Sequence, residues 1–248
     1  MSSYTTLAAC YDEFTEDVKY TKWADYLTAL FKKHGEETRE ILDLACGTGS
    51  LSLILAERGY EVIGTDASEE MLSVAQSKAW ATSLSVPPMF LHQDMENLDL
   101  YGTVDAAVCC LDSLNYLTSF DSLRRTFGRL KHFIRPGGLF IFDVNTEAKF
   151  KFLDGRAFLR ESDEFFCTWS AEYDKENKLS TFCYDIFRKC EELWEREQEL
   201  HTERAHTNDE IISALESSSF ELLAKYGELS DALPKEDEHR IFYVAKRL

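Results

Sequence analysis

Apolar residues recur at helical spacing near the start of the chain: Tyr4, Leu7, Ala8 and Tyr11, then Trp23, Tyr26, Leu27, Leu30 and Phe31. The spacing predicts two helices within residues 4–34, with Gly35 as a left-handed cap ending the second. Beyond it the period changes. Short apolar runs at 40–44, 61–65, 89–92, 106–111 and 139–142 alternate with amphipathic segments. One of these places Leu51, Ile54 and Leu55 on one side and stops at Gly59. Another starts at Ser68, a suitable N-cap, and runs to about Ala81. A third carries Leu123, Phe127, Leu130 and Phe133. Pro87-Pro88 breaks the chain, and Arg135-Pro136-Gly137-Gly138 predicts a tight turn. Strands that are apolar on both sides need cover on both faces, which predicts a parallel sheet between helices.

Near Phe150 the pattern changes again. Residues 158–206 are aromatic and charged, with alternating runs such as Thr181-Phe182-Cys183-Tyr184-Asp185-Ile186 around a turn at 174–178. This predicts a small antiparallel lobe, with residues 191–204 read as strand rather than helix. Thr207-Asn208-Asp209-Glu210 is a capping box for a helix through Ser217, and residues 220–226 and 240–246 read as closing strands. The expected organisation is a helical cap (1–35), a core (36–150), an inserted lobe (151–206) and a return to the core (207–248).

Charge and cysteine content restrict the function. Lysine and arginine number 27 against 45 acids, a net charge of −18, which repels phosphate backbones and argues against nucleic acid as a partner. The seven cysteines are scattered and never spaced Cys-x-x-Cys, and no His-x-x-x-His occurs, so no metal site is expected. The start has neither a basic nor an apolar leader pattern, and no apolar run has membrane-spanning length. Reduced thiols and a cytoplasmic location, away from membranes, are the expectation.

The chemistry is carried by residues 41–49, Ile-Leu-Asp-Leu-Ala-Cys-Gly-Thr-Gly, followed by a second strand ending in Asp66. Strand, glycine loop, helix, strand and terminal acid form half of a nucleotide-binding α/β unit, and the acid can accept hydrogen bonds from both hydroxyls of a ribose. The loop lacks the third glycine that packs a helix behind a pyrophosphate, which disfavours a dinucleotide. Ser50-Leu51 after Gly49 excludes a Walker phosphate loop. An acid just before two glycines suits a group with an ammonium, such as the methionine end of S-adenosylmethionine.

Asp43-Leu44-Ala45-Cys46-Gly47-Thr48-Gly49 resembles motif I of the class I S-adenosylmethionine-dependent methyltransferases, with Ala45 where that family has its first glycine. Asp66 matches the ribose acid, Asp94-Met95 the segment flanking the adenine, and Pro136-Gly137-Gly138 the turn before strand 5. Tyr4-x-x-Leu-Ala-x-x-Tyr11-Asp12 and Tyr20-x-x-Trp23 are similar to the N-terminal cap of small bacterial methyltransferases. The inserted lobe is similar, less specifically, to that of the glycine and sarcosine N-methyltransferase group. The resemblance implies an α/β fold: a Rossmann-like, mostly parallel seven-stranded sheet with helices on both faces and an antiparallel lobe after strand 5.

It also implies roles. S-adenosyl-L-methionine would be held by Asp43, Ala45, Gly47, Gly49, Asp66, Ala67, Met71, Asp94, Met95 and Leu111. Asp43 either holds the ammonium or caps the loop's own amides, and Asp94 either meets the adenine or closes a turn. Asp112, Asn115 and Tyr11 are the candidate catalytic residues, although Asp112 or Ser113 also suits a helix cap. Tyr4, Tyr20, Trp23, Asn145, Trp169 and Arg188 are substrate candidates, with Asp143 beside them. The N-terminal aromatics serve either as a lid or as core. A small-molecule methyl acceptor and a monomer or homodimer are expected. Methylation of tRNA or protein, and a non-catalytic cofactor-binding module, are the alternatives.

Overall fold

The computed structural model describes residues 7–35 and 37–248. A 3-10 turn at Leu7–Cys10 leads into the short α1 (Tyr11–Phe14), and α2 follows at Tyr20–His34. The N-terminal segment thus forms two separate helices, as its sequence pattern predicts. The Thr15 hydroxyl donates back to the Tyr11 carbonyl at 2.8 Å and the chain turns before α2. Gly35 is extended (φ −96°, ψ 172°) rather than left-handed. Its glycine is needed for space, since a Cβ would stand 2.8 Å from the Phe31 carbonyl and 3.0 Å from Leu139.

The core then alternates as expected: β1 (Glu40–Leu44), α3 (Ser50–Glu57), β2 (Glu61–Asp66), α4 (Glu69–Trp80), β3 (Met89–His92), β4 (Val104–Cys109), α5 (Phe120–Phe133) and β5 (Ile134–Asn145). After α6 (Glu147–Leu153) come four lobe strands: β6 (Ala157–Glu161), β7 (Phe165–Asp174), β8 (Leu179–Cys190) and β9 (Leu193–Arg204). α7 (Asn208–Ser217), β10 (Phe220–Gly227) and β11 (Arg240–Arg247) return to the core. Ser68 caps α4 by accepting the Met71 amide, and the Thr207–Glu210 capping box starts α7.

The main sheet has seven strands in the order β10-β11-β5-β4-β1-β2-β3, with β11 antiparallel to both neighbours. α2 and α3 cover one face, where Trp23, Leu27, Phe31 and Leu55 pack on Ile41, Val108, Ile141 and Phe242. α5 and α7 cover the other, where Phe127, Leu130, Ile211 and Leu215 meet Phe140, Phe142 and Tyr243. The lobe is a separate antiparallel sheet, β6-β7-β8-β9. It closes over a core of its own, with Leu7, Phe150 and Leu153 against Phe165, Phe182, Tyr184 and Ile186.

Two local expectations are corrected. The fourth strand ends at Cys109 rather than residue 111, because Leu111 and Asp112 both take left-handed φ (58° and 57°) and turn out of the sheet. The Arg135–Gly138 segment is a bulge within β5 and not a separate turn. Pairing jumps from Val104↔Ile134 to Ala106↔Leu139, and Gly137 absorbs the excess at φ 81°. Among the described residues, no helix is long and apolar enough to cross a membrane.

Candidate active site

β1 has β4 on one side and β2 on the other, so the strand order reverses there and a crevice opens at the strands' carboxyl ends. The chain leaves β1 through Ala45 (φ 58°), Gly47 (φ 54°) and Gly49 (φ 72°). Ala45, the departure from the family motif, thus pays a left-handed strain of about 1–2 kcal/mol that glycine would avoid. At the end of β2 the Asp66 carboxylate accepts the Gly47 amide at 2.8 Å and the Ser68 amide at 2.9 Å. It is thereby fixed under the loop. Burial raises its pKa and these amides pull it down.

The crevice deepens into a cleft of about 530 Å³, a volume within the usual range for small-molecule sites. Tyr11, Tyr20, Asp43, Ala45, Gly47, Asp66, Ala67, Met71, Asp94, Met95 and Leu111 line it. Of the expected cofactor residues only Gly49 lies off the wall. A Cβ on Gly49 would stand 2.8 Å from Phe90 and 2.9 Å from Ala75, so this glycine serves packing beneath the loop. A Cβ on Gly47, by contrast, would meet nothing within 4 Å.

Asp43 is buried and accepts the Ser52 hydroxyl at 2.5 Å. Burial pushes its carboxyl up to about 7, against the pull of Ser52, and nearby Asp66 adds to the rise. Asp94 closes the turn after β3 by accepting the Glu96 amide at 3.0 Å, and it also faces the cleft. Sequence reasoning assigned no role to a network beside the loop. Thr48, Ser50 and Lys78 all bond to Asp12, at 2.6, 3.2 and 2.7 Å, which ties the N-terminal segment to the glycine loop.

Other candidates are held away from the wall. Asp112 lies off it, paired to Arg240 at 2.5 Å, and makes no helix-capping bond. Asp143 accepts the Leu111 and Asp112 amides at 2.8 and 2.9 Å and is also bound by Arg240. Burial raises the Asp143 carboxyl to about 6, with Arg240 opposing the rise. The Arg240 guanidinium lies 5.4 Å from the ring of Trp23, which is packed into the core instead of forming a lid. Arg240 was invisible in sequence.

Asn115 is fully buried, which corrects its expected place among reacting groups. Its amide donates to the Asn145 and Arg204 carbonyls at 3.0 and 2.8 Å and accepts the Asn145 amide at 2.9 Å, stitching β5 to β9. The Asn145 side chain is buried and off the cleft wall. Trp169 stacks on Phe158 at 4.2 Å within the lobe. Arg188 is half-exposed and pairs with Glu195 at 3.3 Å, also away from the cleft. Tyr4 lies outside the described residues.

The cleft suits the nucleoside donor that the motif implies. It offers a fixed carboxylate, a buried acid beside the loop and open space over Gly47. Comparison with known proteins agrees. The family described as "Methyltransferase domain" matches residues 41–138. YqeM of Bacillus subtilis (strain 168), which carries a provisional methyltransferase name, is 32% identical over 246 residues, covering 98% of this chain and 97% of its own. The crystal structure of an S-adenosylmethionine-dependent methyltransferase from Clostridium acetobutylicum ATCC 824 superposes with a TM-score of 0.87 at 31% identity, covering 98% of each chain. A glycine/sarcosine N-methyltransferase of Parasynechococcus marenigrum (strain WH8102) is 29% identical over 48% of this chain and 42% of its own. The chain belongs to the S-adenosylmethionine-dependent methyltransferases. Its methyl donor is S-adenosylmethionine.

Proposed function

We propose that this methyltransferase acts on a small molecule, which enters between the donor cleft and the antiparallel lobe. The observation that carries this reading is the cover over the cleft. Tyr11 and Tyr20 form part of its wall, and Asp12 ties their segment to the glycine loop. At the far side Tyr116, also on the wall, meets His201 of β9 at 3.2 Å, and Glu199 accepts the Leu7 amide at 3.1 Å. Such cover favours a compact acceptor over a polymer, and the net charge of −18 disfavours RNA. The partial relative named for glycine and sarcosine supports a small acceptor.

In this reading Asp66 accepts from the ribose hydroxyls, Asp43 holds the methionine ammonium and Asp94 with Met95 borders the adenine. When bound, the donor supplies a methyl group on a positively charged sulfur, which an in-line nucleophile displaces. The protein's own contribution is placement and exclusion of water by Tyr11, Tyr20, Leu111 and Tyr116. Incubation with methyl-labelled donor and a fractionated cell extract tests it. Label is expected in the low-molecular-weight fraction, and label confined to RNA or protein would overturn the reading.

A further inference from the structure

Between the donor cleft and the lobe stand buried polar groups that donor binding does not use. On β9 alternate side chains turn inward, and His201 and Glu203 are 1% and 4% exposed. His201 is engaged, meeting Tyr116 at 3.2 Å and Glu199 at 2.9 Å. Glu203 is not fully engaged. Its Oε2 is buried without a hydrogen-bond partner. The Asn145 side chain hydrogen-bonds the carboxyl, and the charges of Asp112, Arg240 and Lys149 act on it, but Oε2 has no donor of its own. The charges of Glu203 and Asp112 both reach Tyr184 of β8. Tyr11, on the cleft wall, feels the charges of Asp112 and Asp66 and the Tyr184 phenol. Carboxyl and phenol groups from Asp66 to the lobe are thus coupled electrostatically.

A buried carboxyl oxygen left unpaired costs about 1–3 kcal/mol, so a fold normally supplies its donor. Here Arg240 is committed to Asp112, Asp143 and Glu228. An arriving ligand can supply the missing donor. A carboxylate or phosphate would be repelled by Asp112 and by ionised Glu203, and an alcohol would pair the oxygen but would not favour the ionised carboxylate that burial opposes. An ammonium does both.

We propose that the methyl acceptor is a primary or secondary amine, held through its nitrogen by Glu203, which takes the proton the amine must lose. This rests on the small-molecule reading above. The N–H proton passes to the Glu203 carboxylate, and the nitrogen lone pair forms the new N–C bond. The C–S bond breaks and its electron pair stays on sulfur. The products are a methylated ammonium, S-adenosylhomocysteine and protonated Glu203, which returns its proton to solvent. Burial and Asp112 push the Glu203 carboxyl well above the usual range, with Asn145, Arg240 and Lys149 opposing. That shift makes it a stronger base than an exposed glutamate.

The test uses the full chain, methyl-¹³C donor and a desalted metabolite extract from ¹⁵N-grown cells. A one-bond ¹³C–¹⁵N coupling in the labelled product is expected. Glu203→Gln should lower kcat/KM for that product's precursor by about 100-fold or more, with donor affinity and melting temperature near wild type. Its residual rate should climb with pH towards the range where the free amine deprotonates, while wild type levels off lower. Glu203→Asp should keep part of the activity, and it decides the matter if the Gln variant does not fold. Label on oxygen, carbon or sulfur, or a Gln variant with wild-type kcat/KM, overturns the amine proposal alone. Donor binding with no labelled small molecule overturns the small-molecule reading and this proposal with it.

Discussion

Replacing Arg240 by methionine removes one charge and keeps most of the side-chain bulk. The guanidinium joins β11 to Asp143 at the end of β5 and to Asp112 after β4. Asp143 is wholly buried, and its carboxyl already sits at about 6 with Arg240 beside it. Without Arg240 the carboxylate is an uncompensated buried charge, a loss of about 3–5 kcal/mol. For a chain of this size each kcal/mol moves the melting temperature by about 2–4 °C, so the variant should melt about 6–20 °C below wild type. Adding Asp143→Asn removes the orphaned charge, and the double variant should therefore be more stable than Arg240→Met alone. Thermal melts of wild type, both single variants and the double variant supply the cycle. Donor affinity should also fall several-fold in Arg240→Met, because Asp143 holds the amide of Leu111 on the cleft wall. A melt within about 2 °C of wild type, or a double variant no more stable than the single, would refute the reasoning.

The Asp43 carboxyl, raised from 3.8 to about 7, favours the protonated form in the free protein by about 4 kcal/mol. That stability is present below pH 3.8 and lost as pH rises through about 7. Melting temperature without donor should therefore fall from pH 5 to pH 8, less steeply in Asp43→Asn, with Asp143 supplying part of the remaining slope. Donor affinity should rise over the same interval as the ionised acid meets the ammonium, and calorimetry in buffers of different ionisation heat should show proton release. A flat profile would count against Asp43. Gly47→Ala should weaken donor binding, through strain and a methyl placed in the cleft, while costing about 1–2 kcal/mol of stability. Gly49→Ala should chiefly lower the melting temperature by forcing Phe90 and Ala75 apart, and the reverse pattern would contradict the distinction between these glycines. Asn115→Leu should destabilise the seam between β5 and β9 by about 3 kcal/mol or more by orphaning the Asn145 amide and two carbonyls. An unchanged melt would show that the seam holds without it.

What could be read from sequence was what local pattern encodes. Apolar runs without alternation marked β1, β4 and β5, and caps at Ser68 and Thr207 marked helix starts. The spacing from Asp43 to Asp66 marked the donor side of the cleft. The acceptor side was far less legible. Arg240 lies 128 residues from Asp112 and 97 from Asp143, so no local spacing joins them. Glu203 sits in a strand whose inward positions are His and Glu, so hydrophobic alternation gives no sign of which face is buried. Helical spacing left Trp23 as either lid or core, and Trp169 and Arg188 carry no spacing signal at all. Packing against Phe242, stacking on Phe158 and pairing with Glu195 decide their places, and only the fold reveals those contacts.

Calorimetric titration of S-adenosylmethionine into the full chain, with Asp66→Ala in parallel, tests the donor cleft most directly. One donor per chain should bind to wild type. The variant should lose about 10-fold or more of that affinity, the worth of hydrogen bonds to a buried carboxylate, while still melting cooperatively. No heat of binding with wild type, or undiminished affinity in a folded Asp66→Ala variant, would contradict the account.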